Sequence, residues 1–285
     1  MSYMKILVDS GSDLLLEYCK KYDITVIPFS LQIEGRAVLD SERFDSAKYC
    51  EYLKVAPQAP KSIQPSPQTF LDYYRRFSDR EHIIVITMSS KISGAHQSAV
   101  LARELFEREN KSCRVHIVDS SGTSFAISML ALHAAQLNQN GLPVSEIVEQ
   151  LVEDTLHIGT YYLVDDISFF IKADHLSSFK GSLLAKTGVK SIIGVRNGMV
   201  YHHSSALGFQ KGIAKLAALF QNNAFSGSDA FISHSNCISK AKRLEEAILR
   251  TAPGTSVRIS PMRGTMCTHA GPDAIGLFFY RQRLI

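Results

Sequence analysis

Three apolar segments, each followed by a Ser- and Gly-rich turn and then a helical pattern, constrain the fold of this chain most. The segments cover residues 5–8, 83–87 and 115–118, and the turns after them read DSGSD, MSSKISG and DSSGTS. Successive strand–turn–helix units predict a parallel sheet flanked by helices. Ligands of such sheets bind at the carboxyl ends of the strands. The three turns therefore predict a binding site at one edge of this sheet.

The pattern changes after His157, where regular strand–turn–helix units stop. Residues 1–157 are predicted to form an α/β domain of the three-layer α/β/α type around the parallel sheet. Residues 158–285 are predicted to form an α+β domain, with a hairpin that turns at Asn197-Gly198, a strong type I′ signal. A chain of 285 residues is long enough for two cores. The predicted fold class is therefore α/β with two domains.

Composition excludes several classes of protein. The formal net charge is +4, and the basic residues are scattered, so nucleic-acid binding is not expected. No apolar stretch approaches the roughly 18 residues that a membrane span needs. The five cysteines are odd in number and lack metal-site spacing, which favours a reducing compartment. A cytoplasmic protein is expected.

The second turn is the leading candidate for a binding site. Ser93 is an N-cap candidate, and Gly94 would let a ligand approach backbone N–H groups that have no intrahelical acceptor. The Pro-rich segment 57–67 is predicted to be an extended loop with Ser62 in its middle. Together with His269, these hydroxyls could hold a carboxylate. The simpler alternative is a capped helix start without a ligand.

Other kinds of site have weaker support. A hydrolase would use a serine nucleophile, a histidine base and an orienting acid, but the G-x-S-x-G motif is absent. The candidates for these roles are, in order, Ser93 or Ser89, His96 or His269, and Asp9 or Asp119. No spacing typical of a metal site occurs, and no glycine-rich nucleotide motif follows a predicted strand. Neither a metal nor a cofactor is therefore expected.

The order of these motifs resembles the DegV family, whose members include the fatty-acid-binding subunit of bacterial fatty acid kinase. The motifs are VDSGSDL at 8–14, KSIQPS at 61–66, SSKISGAHQS at 89–98, VDS at 118–120 and HAGP at 269–272. The resemblance implies two α/β domains that hold one long-chain fatty acid, such as palmitate, stearate or oleate, in a tunnel between them. It also implies that the binding protein is not itself an enzyme. The implied ligand-binding residues are Ser62, Ser93 and His269, with Gly94 and Ala95 beside Ser93.

Within the family, the bound acid is presented to a separate ATP-dependent kinase, and the acyl phosphate enters phospholipid synthesis. The chain departs from the family pattern at its head-group motifs. Ser62 replaces Thr and keeps the hydroxyl, whereas Ile63 replaces Ser and Ala95 replaces Thr. The predicted carboxylate clamp therefore keeps its main donors and loses two polar neighbours.

Two further departures bear on the kinase. His175 and Leu207 occupy positions where the family pattern has a basic residue. If those basic residues help to position the head group for phosphorylation or meet the kinase, this chain would bind lipid but serve such a kinase poorly, or serve a different partner. Asp273 replaces a glycine after Gly-Pro, which is expected to affect the turn beside His269.

Overall fold

The structure, a computed structural model, describes residues 4–56, 60–172 and 188–282. His175 lies outside these ranges. The elements, in chain order, are β1 (Met4–Asp9), α1 (Leu16–Lys21), β2 (Ile24–Ile27), β3 (Ser30–Ile33), β4 (Arg36–Leu39), α2 (Ser46–Val55), β5 (Lys61–Ile63), α3 (Pro67–Arg76), β6 (His82–Thr87), α4 (Ala95–Glu109), β7 (Arg114–Asp119), α5 (Phe125–Gln139), α6 (Val144–Thr155), β8 (Ile158–Val164), α7 (Ser168–Lys172), β9 (Val189–Arg196), β10 (Met199–Leu207), α8 (Gly208–Asn223), β11 (Ala230–His234), α9 (Ile238–Thr251), β12 (Val257–Pro261), α10 (Gly264–Ala270) and β13 (Ile275–Tyr280).

The chain divides into two compact units that do not follow a single boundary. The first unit comprises residues 1–44 and 62–156, and the second comprises residues 45–61 and 157–285. Segment 45–61, which the sequence predicted as part of the first domain, thus belongs to the second unit. The physical reason is burial, because Tyr49 of α2 is buried and bonds to Thr268 of α10 through the two hydroxyls at 2.8 Å.

The first unit is built on a four-stranded sheet in the order β2-β1-β6-β7, and all its pairings are parallel. Apolar residues fill its central strands, and residues 83–86 are completely buried. The chain runs from β1 to β2 in one direction across the sheet and from β6 to β7 in the other. Right-handed crossovers therefore place α1 and α4 on opposite faces. The point at which the direction reverses lies between β1 and β6, where sheets of this class bind ligands.

The second unit contains a six-stranded sheet in the order β10-β9-β8-β13-β11-β12, which is antiparallel except for the pair β11 and β12. Helices α8 and α9 cover one face with a buried apolar cluster that includes Leu163, Leu216 and Leu244. Tyr162 of β8 and Phe278 of β13 form an edge-to-face ring pair with centroids 5.5 Å apart. The predicted parallel-sheet domain and α+β domain are both present. Within the described ranges, no helix combines the length and apolarity that crossing a membrane requires.

Candidate functional site

The three Ser- and Gly-rich turns meet at one edge of the first unit's sheet, as the sequence predicted. The backbone N–H of Ser89 donates to the carbonyl of Gly122 at 2.9 Å, and that of Ser124 donates to the carbonyl of Gly11 at 2.7 Å. Each bond joins one turn to another. The edge is therefore a connected, largely buried polar network in which the turns position one another.

Asp9 is the buried carboxylate that ties this edge together. One of its oxygens accepts the backbone N–H of Gly11 at 2.9 Å, and the other accepts that of Met88 at 2.6 Å. The side chain is completely buried. Burial raises the pKa of the Asp9 carboxyl to about 7, while the two backbone hydrogen bonds oppose the rise. Asp9 thus links the first turn to the second across the neighbouring strands β1 and β6.

Ser93 does not occupy the predicted N-cap position. The N-cap of α4 is Gly94, and Ser93 precedes it. The hydroxyl oxygen of Ser93 instead accepts the backbone N–H of Ala95 at 3.2 Å, a local turn that short hydroxyl side chains favour. Ser93 is half-buried, and a hydroxyl that accepts one hydrogen bond can also donate its own hydrogen.

Ser62 lies in β5, a short strand within the segment predicted to be an extended loop, and it is half-buried. The next residues bring this segment to the second turn. A β-carbon at Gly94 would lie 2.8 Å from Nε2 of Gln64, so the Gln64 side chain lies against the glycine. The absence of a side chain at Gly94 is what permits this close approach. The sequence identified the motif around Gln64 without assigning the residue a role.

His269 lies in the second unit, half-buried on the last turn of α10. The sequence did not predict this helix. Its end is shaped by Gly271, whose φ of +77° lies in the region that favours glycine, and a β-carbon there would lie 2.6 Å from the ring of Phe169. The Ser235 hydroxyl donates to the Gly271 carbonyl at 2.6 Å. These contacts set the position of the helix end that carries His269.

Asp273 was expected to affect this turn because it replaces a glycine of the family pattern. Its φ is +63°, a left-handed conformation that costs a residue with a β-carbon about 1–2 kcal/mol. The side chain forms an ion pair with Lys240 at 3.1 Å. The backbone therefore keeps the conformation that favours glycine, and the carboxylate adds a surface charge contact.

Three residues considered for a hydrolase, His96, Asp9 and Asp119, make hydrogen bonds of other kinds. Nδ1 of His96 lies 3.2 Å from the hydroxyl of Thr87. Asp9 accepts backbone amides, and Asp119 likewise accepts the backbone N–H of Ser121 at 2.8 Å. Both carboxylates thus hold turns in place. Neither orients His96 as the acid of a catalytic triad would.

The chain is similar in sequence to known proteins over nearly its whole length. A model of the DegV family, which is described as a family of uncharacterised proteins, matches residues 3–282. A fatty acid-binding protein of Thermotoga maritima is 27% identical over 281 residues, covering 96% of each chain.

Solved structures agree with this comparison. A Thermotoga maritima protein whose structure reveals a fatty acid binding function is 25% identical, with a TM-score of 0.87 over 98% of this chain and 99% of that one. The B3 protein of Streptococcus pneumoniae fatty acid kinase, loaded with linoleic acid, is 20% identical, with a TM-score of 0.87 and the same coverage. The latter likeness shows the fold.

Proposed function

Because the chain belongs to the DegV family, we propose that it binds one long-chain fatty acid and is a binding protein without catalytic activity. In this proposal the fatty acid carboxylate accepts hydrogen bonds from Ser62, Ser93 and His269, beside the backbone of Gly94 and Ala95. The relative at 27% identity is itself a fatty acid-binding protein.

The observation that carries the proposal is the arrangement of the first unit at its topological switch point. The Gln64 side chain lies against Gly94, so the strand of Ser62 approaches the turn of Ser93. Hydroxyl donors and helix-start N–H groups are the partners that a carboxylate takes. The acyl chain would supply most of the affinity, since each buried CH₂ contributes about 0.8 kcal/mol.

We expect purified protein to carry a fatty acid. Native mass spectrometry should show a bound mass, and solvent extraction should release a saturated or unsaturated acid of the palmitate, stearate or oleate class. Delipidated protein should take up such an acid at a ratio of one per chain. A chain that neither releases an acid nor takes one up after delipidation would contradict the proposal.

We further propose that the bound acid is offered to a fatty acid kinase, and that Leu207 makes this chain a poor partner for kinases that read a basic residue there. Leu207 ends β10 and is 63% exposed. With a kinase catalytic subunit and ATP, Leu207→Arg should raise the rate of acyl phosphate formation roughly fivefold, because one interfacial charge contact is worth about 1 kcal/mol.

The matched control for this prediction is Met199→Arg, which adds the same charge at the exposed start of the same strand. It should leave the rate unchanged. An equal gain from both variants would assign the effect to net charge, and no gain from Leu207→Arg would show that the kinase does not read this position.

A cytoplasmic location completes the proposal. All five cysteines are buried and none forms a disulfide, as suits a reducing compartment. Acyl phosphate formation for phospholipid synthesis uses ATP and would take place in the same compartment.

A further inference from the structure

Two cysteines far apart in the chain meet inside the second unit. Cys50 of α2 and Cys267 of α10 are separated by 217 positions, and the thiol of Cys50 donates to the sulfur of Cys267 at 2.9 Å. Their exposed fractions are 1% and 0%. This arrangement lies outside the proposed fatty acid chemistry and needs an explanation of its own.

The two helices are held at this point by a second, adjacent contact. The hydroxyls of Tyr49 and Thr268, the neighbours of the two cysteines, lie 2.8 Å apart. Glu51 of α2 also accepts a hydrogen bond from the side chain of Asn236, in the turn between β11 and α9, at 2.7 Å. The Tyr49–Thr268 contact joins the two helices beside the cysteine pair.

We propose that Cys50 and Cys267 form an oxidisable dithiol that a peroxide converts into a disulfide between α2 and α10. A disulfide has an S–S distance of about 2.05 Å, so the sulfurs need to approach by about 0.9 Å from their present 2.9 Å. Changes of the two χ1 angles can supply a shift of this size. The bond would tether the helix that carries His269 to a helix from the segment 45–61.

The chemistry balances with hydrogen peroxide as the oxidant. One thiol, as its thiolate, attacks the peroxide and the O–O bond breaks. The products are a sulfenic acid and hydroxide, and the hydroxide becomes water on protonation. The second sulfur then attacks the sulfenic sulfur, the S–O bond breaks, and a second water leaves. The two thiols together lose two electrons and two protons, and peroxide is reduced to two waters.

Burial determines which reagents reach this pair. A thiol that is fully buried is closed to bulky alkylating agents and to protein disulfides, whereas peroxide is scarcely larger than water. The reaction is therefore expected to be slower than that of an exposed low-pKa cysteine. It should also be selective, because Cys50 and Cys267 have a partner sulfur in reach.

The test uses the full-length protein with and without hydrogen peroxide. After the peroxide is removed, the chain is denatured, alkylated with N-ethylmaleimide, digested with trypsin and examined by mass spectrometry without reduction. Cys50 lies in the peptide 49–54 and Cys267 in the peptide 264–281. We expect these peptides to join with a mass about 2 Da below their sum, and their alkylated forms to be lost. Dithiothreitol should restore them.

A matched variant and an internal monitor make the result decisive. Cys113→Ser removes another buried thiol, in the first unit, and should leave the cross-link unchanged, whereas Cys50→Ser should abolish it. Met199, which is 55% exposed, reports the oxidant dose through its sulfoxide. Full conversion of Met199 with Cys50 and Cys267 still alkylated would overturn the proposal, and so would a cross-link of either cysteine to a different one. No fatty acid is needed, so this outcome is independent of the proposed function.

Discussion

Replacing Asp9 with asparagine is expected to remove a pH dependence of stability of up to about 4 kcal/mol. Asp9 is completely buried, and its pKa is raised to about 7. In the unfolded chain an aspartate titrates near 3.9, a difference of about three units. Between these values the native state keeps a proton that the unfolded state has lost. The stabilisation is therefore fully present below about pH 4 and is lost as the pH rises through 7.

The measurement is urea-induced unfolding of wild type and Asp9→Asn from pH 4 to pH 7.5. Other groups titrate in both proteins, so the informative quantity is the difference between their free energies of unfolding. The wild-type free energy of unfolding minus that of Asp9→Asn should fall as the pH rises. Asp45→Asn is the control, because Asp45 is an exposed helix cap whose pKa is lowered by the backbone N–H of Lys48. Its difference from wild type should not fall over this range. A difference that stays constant would contradict the prediction, because it would mean that burying the ionised Asp9 carboxylate does not destabilise the native wild-type protein.

Replacing Ser93 with alanine should weaken palmitate binding roughly tenfold to hundredfold, because a hydrogen bond to a charged group contributes about 1.5–3 kcal/mol. The Ser93 oxygen accepts the backbone N–H of Ala95, which orients the hydroxyl and leaves its hydrogen for the ligand. Palmitate affinity of delipidated protein, measured by titration calorimetry, provides the test. Ser93→Thr keeps the hydroxyl and should retain most of the affinity.

Ser90→Ala is the matched control for Ser93→Ala, since Ser90 is an exposed serine of the same turn. It should bind palmitate as wild type does. Equal losses in both variants would indicate a general disturbance of the turn. Unchanged affinity in Ser93→Ala, together with turnover of a chromogenic ester that this variant loses, would instead support a serine nucleophile and contradict the proposed role of Ser93.

The strands and turns of the first unit could be predicted because their signals are local. Apolar segments that end in Ser- and Gly-rich turns predicted β1, β6 and β7, and the repetition predicted their parallel pairing and common edge. The hairpin at Asn197-Gly198 could also be predicted from the sequence, and both residues have the positive φ that its turn requires. These features depend on backbone preference and on burial of neighbouring residues.

Other features could not be predicted from the sequence, because they depend on contacts with residues far along the chain. The local sequence predicts a helix over residues 44–54, but it does not specify which core that helix packs against. The short helix that carries His269 has no strong local signal, since glycine and threonine open it. Gln64 lies against Gly94 only because a separate strand brings it there.

The sequence by itself therefore determined the parallel sheet, the edge at which its turns meet, the family, and the residues proposed to bind a carboxylate. Only the tertiary structure decided that segment 45–61 belongs to the second unit, that Asp9 is buried between two backbone amides, and that Cys50 meets Cys267. The physical reason is the range of the interactions. Conformational preference acts over a few residues, whereas burial and the pKa of a buried group depend on every element that packs around it.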